Sequence, residues 1–169
     1  MEWRDIARGA TCALALATAA TAGERQAPDC SLRAVDDSRR WELREMRGRV
    51  VWVDFWASWC GSCAEAVPFL NDLEREFGAQ GFAVLGINLD EEPRDALEFL
   101  ARHPADFAQA ADADGLCPRS FGVETMPAAY LIDRRGVIRH VHAGFRPGEA
   151  AGLRARVAEL VAESQREGR

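Results

Sequence analysis

The 169-residue sequence contains no lysine. All 21 basic residues are arginine, and they alternate with 27 acidic residues to leave a net charge of −6. Without a basic block there is no electrostatic footprint for a phosphate backbone, so no nucleic-acid partner is expected. Long apolar runs are also lacking. The longest small and apolar stretch, Ala10 to Ala22, falls well short of the roughly 20 residues needed to cross a bilayer. There is no internal repeat, no low-complexity segment and no second Cys-x-x-Cys pair, which argues against a solenoid and a four-cysteine zinc site. What is present is ordinary for one globular domain: 48% hydrophobic and 28% charged residues, in a chain long enough to bury a core.

The stretch Ala10 to Ala22 closes with Ala20-Thr21-Ala22 and is followed by polar Gly23 to Gln26. This has the form of a signal-peptide apolar region and cleavage site, although Glu2 and Asp5 offset Arg4 and Arg8 before it. A frayed or helical extension is the competing reading. The expected organisation is a signal peptide at 1–22, a linker at 23–28 and one domain at 29–166, exported and periplasmic. Cys12 then has no role in the mature chain. Cys30, Cys60, Cys63 and Cys117 remain, an even number compatible with an oxidising compartment. Spacing alone does not decide whether Cys30 and Cys117 are bridged, and the reading adopted is two unpaired, partly buried thiols.

Cys30 to Val35 and Arg40 to Leu43 suggest a pair of short strands. Val50 to Trp56 is a near-continuous branched and aromatic run interrupted only by Asp54, as a central strand covered on both faces requires. Phe69, Leu70, Leu73 and Phe77 recur at helical spacing, so a helix begins at or beside Cys60. Phe82 to Leu89 reads as a second strand, and Asp95 to His103 as a helix stopped by Pro104. Phe107 to Ala110 reads as a short strand and Leu116 to Phe121 as a short helix. Ala128 to Ile132 and Val137 to His142 form an expected hairpin around Asp133 to Gly136. Pro147 opens a last helix with Leu153, Val157, Leu160 and Val161 on its buried stripe. Together these predict an α/β sandwich with a mixed sheet.

Cys60-Gly61-Ser62-Cys63 falls between a strand end and a helix start. Unpaired amides and the positive end of the helix dipole favour a thiolate there, the attacking species of disulfide exchange. Cys60 is therefore the candidate nucleophile. Cys63, one turn on, is the candidate resolving thiol, able to attack a mixed disulfide held by Cys60. Asp54 is a carboxyl inside a hydrophobic strand, costly unless neutral or partnered. It is the candidate proton acceptor for Cys63, against the alternative of a structural acid satisfied by a nearby donor. Met126-Pro127, at the start of a strand, is a candidate cis peptide that exposes backbone to an extended substrate segment, although proline statistics alone favour trans.

Val53 to Cys63, with Pro68, Gly122-Val123, Met126-Pro127 and Tyr130 to Asp133 with Gly136, resembles the thioredoxin superfamily. More narrowly it is similar to exported TlpA/ResA-type thiol-disulfide oxidoreductases. The likeness runs from about Ala27 to the last helix. It implies a thioredoxin-like three-layer α/β/α sandwich with a mixed central sheet, in which Glu91 to Ala110 is a central insertion. It further implies that Pro127 is cis and faces the cysteine pair, and that Trp59, Met126, Gly61 and Ser62 form the substrate-binding surface. The implied partners are a disulfide-containing exported protein substrate and a membrane thiol electron donor, with no cofactor and no metal. Three departures bear on function. Ser62 stands where proline is common, which leaves the redox potential open. Ala66 replaces a frequent acid, with Glu65 one place early. Ala128 stands where the cytochrome-maturation type often has glutamate, which weakens apocytochrome reduction as the activity.

The rivals are a disulfide-donating oxidant on the same scaffold, a non-catalytic adaptor, and metal binding by Cys60 and Cys63 with His140 and His142, which share one strand face. A peroxidase lacks support because Ala57 stands three before Cys60. Substrate identity and oligomeric state have no signature in the sequence.

Overall fold

The computed structural model describes residues 24–167. The expected signal peptide at 1–22 lies outside them. Val50–Trp56 (β3) is buried at every position, so its alternating side chains feed two cores at once. Val51, Val53 and Phe55 enter one, while Val50 and Trp52 enter the other. Phe82–Asn88 (β4) is equally buried and pairs with β3 in parallel. Around this pair stand Ser31–Ala34 (β1), Arg40–Glu42 (β2), Ala108–Ala111 (β5), Ala128–Ile132 (β6) and Ile138–Ala143 (β7). The sheet order is β2-β1-β5-β4-β3-β6-β7. β3, β4 and β5 are parallel, and the flanking pairs are antiparallel, giving the mixed sheet.

Gly61–Phe77 (α1) and Ala150–Glu167 (α4) cover one face, burying Phe69, Leu70 and Leu73 with Leu153, Val157 and Val161 over β3 and β4. Pro93–Arg102 (α2) joins this side through Ala96 and Phe99, which pack with Trp56 and the motif cysteines. Leu116–Phe121 (α3) and the turn at Leu43–Met46 cover the opposite face. The result is the three-layer, thioredoxin-like α/β sandwich. Pro147 opens one turn of 3-10 helix before α4 begins at Ala150, so the last helix starts later than its proline implies.

Two features differ from the sequence reading. Cys30 and Cys117 form a disulfide rather than two unpaired thiols, with Cα atoms 5.5 Å apart. The pairing arises because β1 lies beside β5 and α3 follows β5, which brings residues 87 positions apart into one core. Residues 24–28 are not a free linker either. Gln26 bridges Val137, the Ala27 amide donates to Gly136 at 2.8 Å, and Glu24 pairs with Arg135.

Candidate functional site

β3 delivers the chain into a short loop, Ala57 to Trp59, that ends on Cys60 at the N-cap of α1. The Cys63 amide, in the first turn of α1, donates both to the Cys60 carbonyl at 3.1 Å and to Cys60 Sγ at 3.2 Å. Cys60 and Cys63 are joined as a disulfide, Cα atoms 5.3 Å apart. Cys60 is 6% exposed and Cys63 only 2%, which orders them as outer and inner sulfur. Ser62 Oγ lies 3.7 Å from Cys60 Sγ. Gly61 is exposed, and a side chain added there meets nothing within 4 Å, so the space over the residue next to Cys60 is open.

The loop before Cys60 is anchored by residues that the sequence reading missed. Asp90 accepts from the Ser58 amide at 3.0 Å and from its hydroxyl at 3.0 Å, and Asn88 Nδ2 donates to Asp90 at 2.7 Å. Both Asn88, the last residue of β4, and Asp90, two positions on, are buried. Their only sequence signal is a pair of polar residues terminating a hydrophobic strand. Trp59, beyond this anchor, is 70% exposed.

The Met126-Pro127 peptide is cis, and Met126 packs against the cluster containing Trp56, Cys60, Cys63 and Val67. The Pro127 carbonyl accepts from the Gly144 amide at 2.7 Å. Beside the motif lies a groove of about 390 Å³ whose walls include Trp59, Leu89, Pro118, Val123, Thr125 and Met126. Its mixed apolar and polar lining suits an extended peptide segment.

Asp54 projects from β3 on the face covered by α1, between Trp52 and Trp56. Its neighbours across the sheet are Gly86 on β4 and Ala129 on β6. Burial pushes its carboxyl up to about 7, and the Trp52 indole, short of a fully formed hydrogen bond, offsets part of that rise. Trp56 donates its indole Nε1–H to Gln109 Oε1 at 2.9 Å and lies 4.8 Å, ring to ring, from Phe99. His140 and His142 do share a face, with ring centroids 6.2 Å apart, and His142 lies 3.4 Å from the Glu149 carboxylate. Burial, with Arg156 and His142 adding, holds His140 below the usual imidazole range. Among the described residues no group of three or more His, Cys, Asp or Glu side chains is gathered to hold a metal.

The sequence pattern of the Redoxin family matches residues 21–157. The chain belongs to the Redoxin family. This redoxin is 26% identical over 102 residues to the thiol-disulfide oxidoreductase ResA of Bacillus thuringiensis, covering 60% of this chain and 59% of that protein. It therefore spans about three fifths of the length of that relative. It is 28% identical over 123 residues to the thioredoxin-like protein YneN of Bacillus subtilis, covering 71% of each chain. A Chlorobium tepidum protein described as a thiol:disulfide interchange protein DsbE superposes with a TM-score of 0.79 at 39% identity, covering 82% of this chain and 96% of that one. These similarities and the topology make it a TlpA/ResA-like member of the thioredoxin superfamily.

Proposed function

We propose that this redoxin is a thiol-disulfide oxidoreductase that reduces disulfides in exported proteins. The observation that carries the reading is the Cys60–Cys63 pair at the start of α1, flanked by Trp59 and Met126, which line a groove of about 390 Å³. In the reduced enzyme the Cys60 thiolate attacks one sulfur of the substrate disulfide, forming a mixed disulfide and releasing one substrate thiolate. Asp54, as carboxylate, takes the Cys63 proton directly or through a water. The Cys63 thiolate then attacks Cys60 Sγ, the second substrate thiolate leaves, and the enzyme ends with its own disulfide. Two electrons pass from dithiol to substrate. Restoring the dithiol needs a thiol donor, and a membrane-embedded carrier fits an exported protein.

Extracytoplasmic work is supported by the leader-like 1–22 segment and by the second disulfide, since such bridges persist in oxidising compartments. Pro127, Met126, Trp59, Gly61 and Ser62 are assigned to binding substrate backbone beside Cys60. The resemblance to reductases favours this direction over the oxidant, whose support is Ser62 between the cysteines. A Cys60–Cys63 reduction potential near about −270 mV marks a reductase, and one near about −120 mV an oxidant. Cys60→Ser is expected to abolish turnover of a model protein disulfide, while Cys63→Ser accumulates a mixed disulfide visible on non-reducing gels. Full turnover by Cys60→Ser would sink the mechanism.

A further inference from the structure

We infer that Gln109 is a positioning residue of the dithiol site, reaching across Gly86 to fix the Trp56 indole and to close the side of Asp54 that β4 leaves open. The inference rests on the reading of Asp54 as proton acceptor and adds to it the residue that sets its environment. Strand registers align Gln109 on β5, Gly86 on β4, Asp54 on β3 and Ala129 on β6 in one row. All four face α1, because Ala108, Ala110, Leu85, Val53 and Tyr130 in the adjacent registers belong to the opposite core or pack against it.

The two positions flanking Asp54 therefore carry a hydrogen and a methyl group. Over Gly86 that space is filled from the next strand. A side chain built on Gly86 would place its Cβ 2.5 Å from Gln109 Oε1 and 2.9 Å from Nε2, so the amide of Gln109 lies directly on the glycine. Gly86 is not one of the positive-φ glycines of the chain, so what a side chain here would disturb is the close approach of the Gln109 amide, which would have to move aside. The same amide oxygen accepts from Trp56 Nε1 at 2.9 Å, and Trp56 packs with Cys60 and Cys63. Gln109 also lines a surface hollow of about 250 Å³ with Val35, Trp41, Leu97, Leu100 and Phe107. Its side chain thus stands between outside water and the Gly86 surface that adjoins Asp54. Without it, water reaches that surface and stabilises the carboxylate.

Other groups near Asp54 do not substitute for it. The start of α1 brings the sulfurs of Cys60 and Cys63 and the uncharged Ser62 hydroxyl. On the β6 side His142 lies beyond Ala129 and faces Glu149. From α2, His103 lies behind Phe99, and Asp90 after β4 is engaged with Ser58 and Asn88. The charged side chains of α1 nearest in sequence, such as Glu65, are exposed, and Glu74 is bound to the Val84 amide.

The test is the titration of the Asp54 side-chain carboxyl carbon by NMR in the oxidised protein, read with the Trp56 indole resonance. Gln109→Ala is expected to lower the Asp54 midpoint by about one pH unit, and Gln109→Ala and Gly86→Ala, which pushes the Gln109 amide aside, are both expected to shift the Trp56 indole proton. Gln109→Glu keeps the acceptor for Trp56 but adds negative charge, so it should raise the Asp54 midpoint while the indole bond survives. This variant nearly preserves size, and it decides the matter if Gln109→Ala fails to fold. Unchanged Asp54 midpoints across the folded variants overturn the inference. Wild-type turnover by Asp54→Asn, with the Gln109 variants still moving the Asp54 midpoint, overturns the proton-acceptor role alone.

Discussion

Asp54 is held in β3 with no side chain larger than alanine beside it on either neighbouring strand, and burial favours its protonated form. Its folded-state value, about 7, lies above the ordinary 3.8. Stability associated with the neutral acid is therefore fully present below about pH 4 and is lost as pH rises through about 7, by on the order of 4 kcal/mol. Asp54→Asn should remove that loss. Denaturation at pH 8 is expected to show a variant more stable than wild type by up to about that amount, with little difference at pH 4. The same substitution should slow release of the mixed disulfide about tenfold or more without preventing its formation, since attack by Cys60 does not require the carboxylate. Rapid mixing with a model disulfide separates the two steps. Equal stability gain at both pH values would show that folding does not raise the Asp54 carboxyl above its ordinary range.

The loop between β3 and α1 depends on one buried carboxylate from a different element. Asp90→Ala leaves the Ser58 amide and hydroxyl and the Asn88 side chain without their acceptor, at about 1–3 kcal/mol for each group left buried and unpaired. Faster hydrogen exchange at the Ser58 amide and reduced disulfide turnover are expected, with the Cys60–Cys63 bridge still able to form. The chain announced β3 in full, Val50 to Trp56, because a strand buried on both faces reads as a near-continuous apolar run, broken here only by Asp54. The helix after Cys60 was visible for a similar reason: its stripe repeats at 3.6 residues. Cys60, Cys63, Asp54 and Pro127 were legible as local anomalies, two thiols, an acid and a proline set against that pattern. Gln109, Gly86 and Asp90 were not. Their roles depend on strand registers and on contacts 32 positions apart in the case of Ser58 and Asp90, and 53 in the case of Trp56 and Gln109. No local periodicity carries such information. Cys30 and Cys117 were misjudged for the same reason, since only the placement of β1 beside β5 reveals the pair.

At the scale of the molecule, the Cys30–Cys117 bridge links β1, near one border of the sheet, to α3, whose Pro118 lines the groove beside the motif. Cross-linking residues 87 positions apart restricts the unfolded chain strongly, so a Cys30→Ser/Cys117→Ser double variant is expected to lose about 2–5 kcal/mol in chemical denaturation. Both positions lie in the core opposite to α1, so the dithiol chemistry should persist in the variant that remains folded. The bridge also makes a closed ring of residues 30–117, which contains β1 to β5, α1 and α2, while β6, β7 and α4 hang outside it. A protein pulled from its two ends would carry the load across that single covalent link and leave the ring unextended. Force spectroscopy should then record a short contour for the oxidised chain. Cleaving the link adds ~300 Å of extensible backbone at ~3.5 Å per residue.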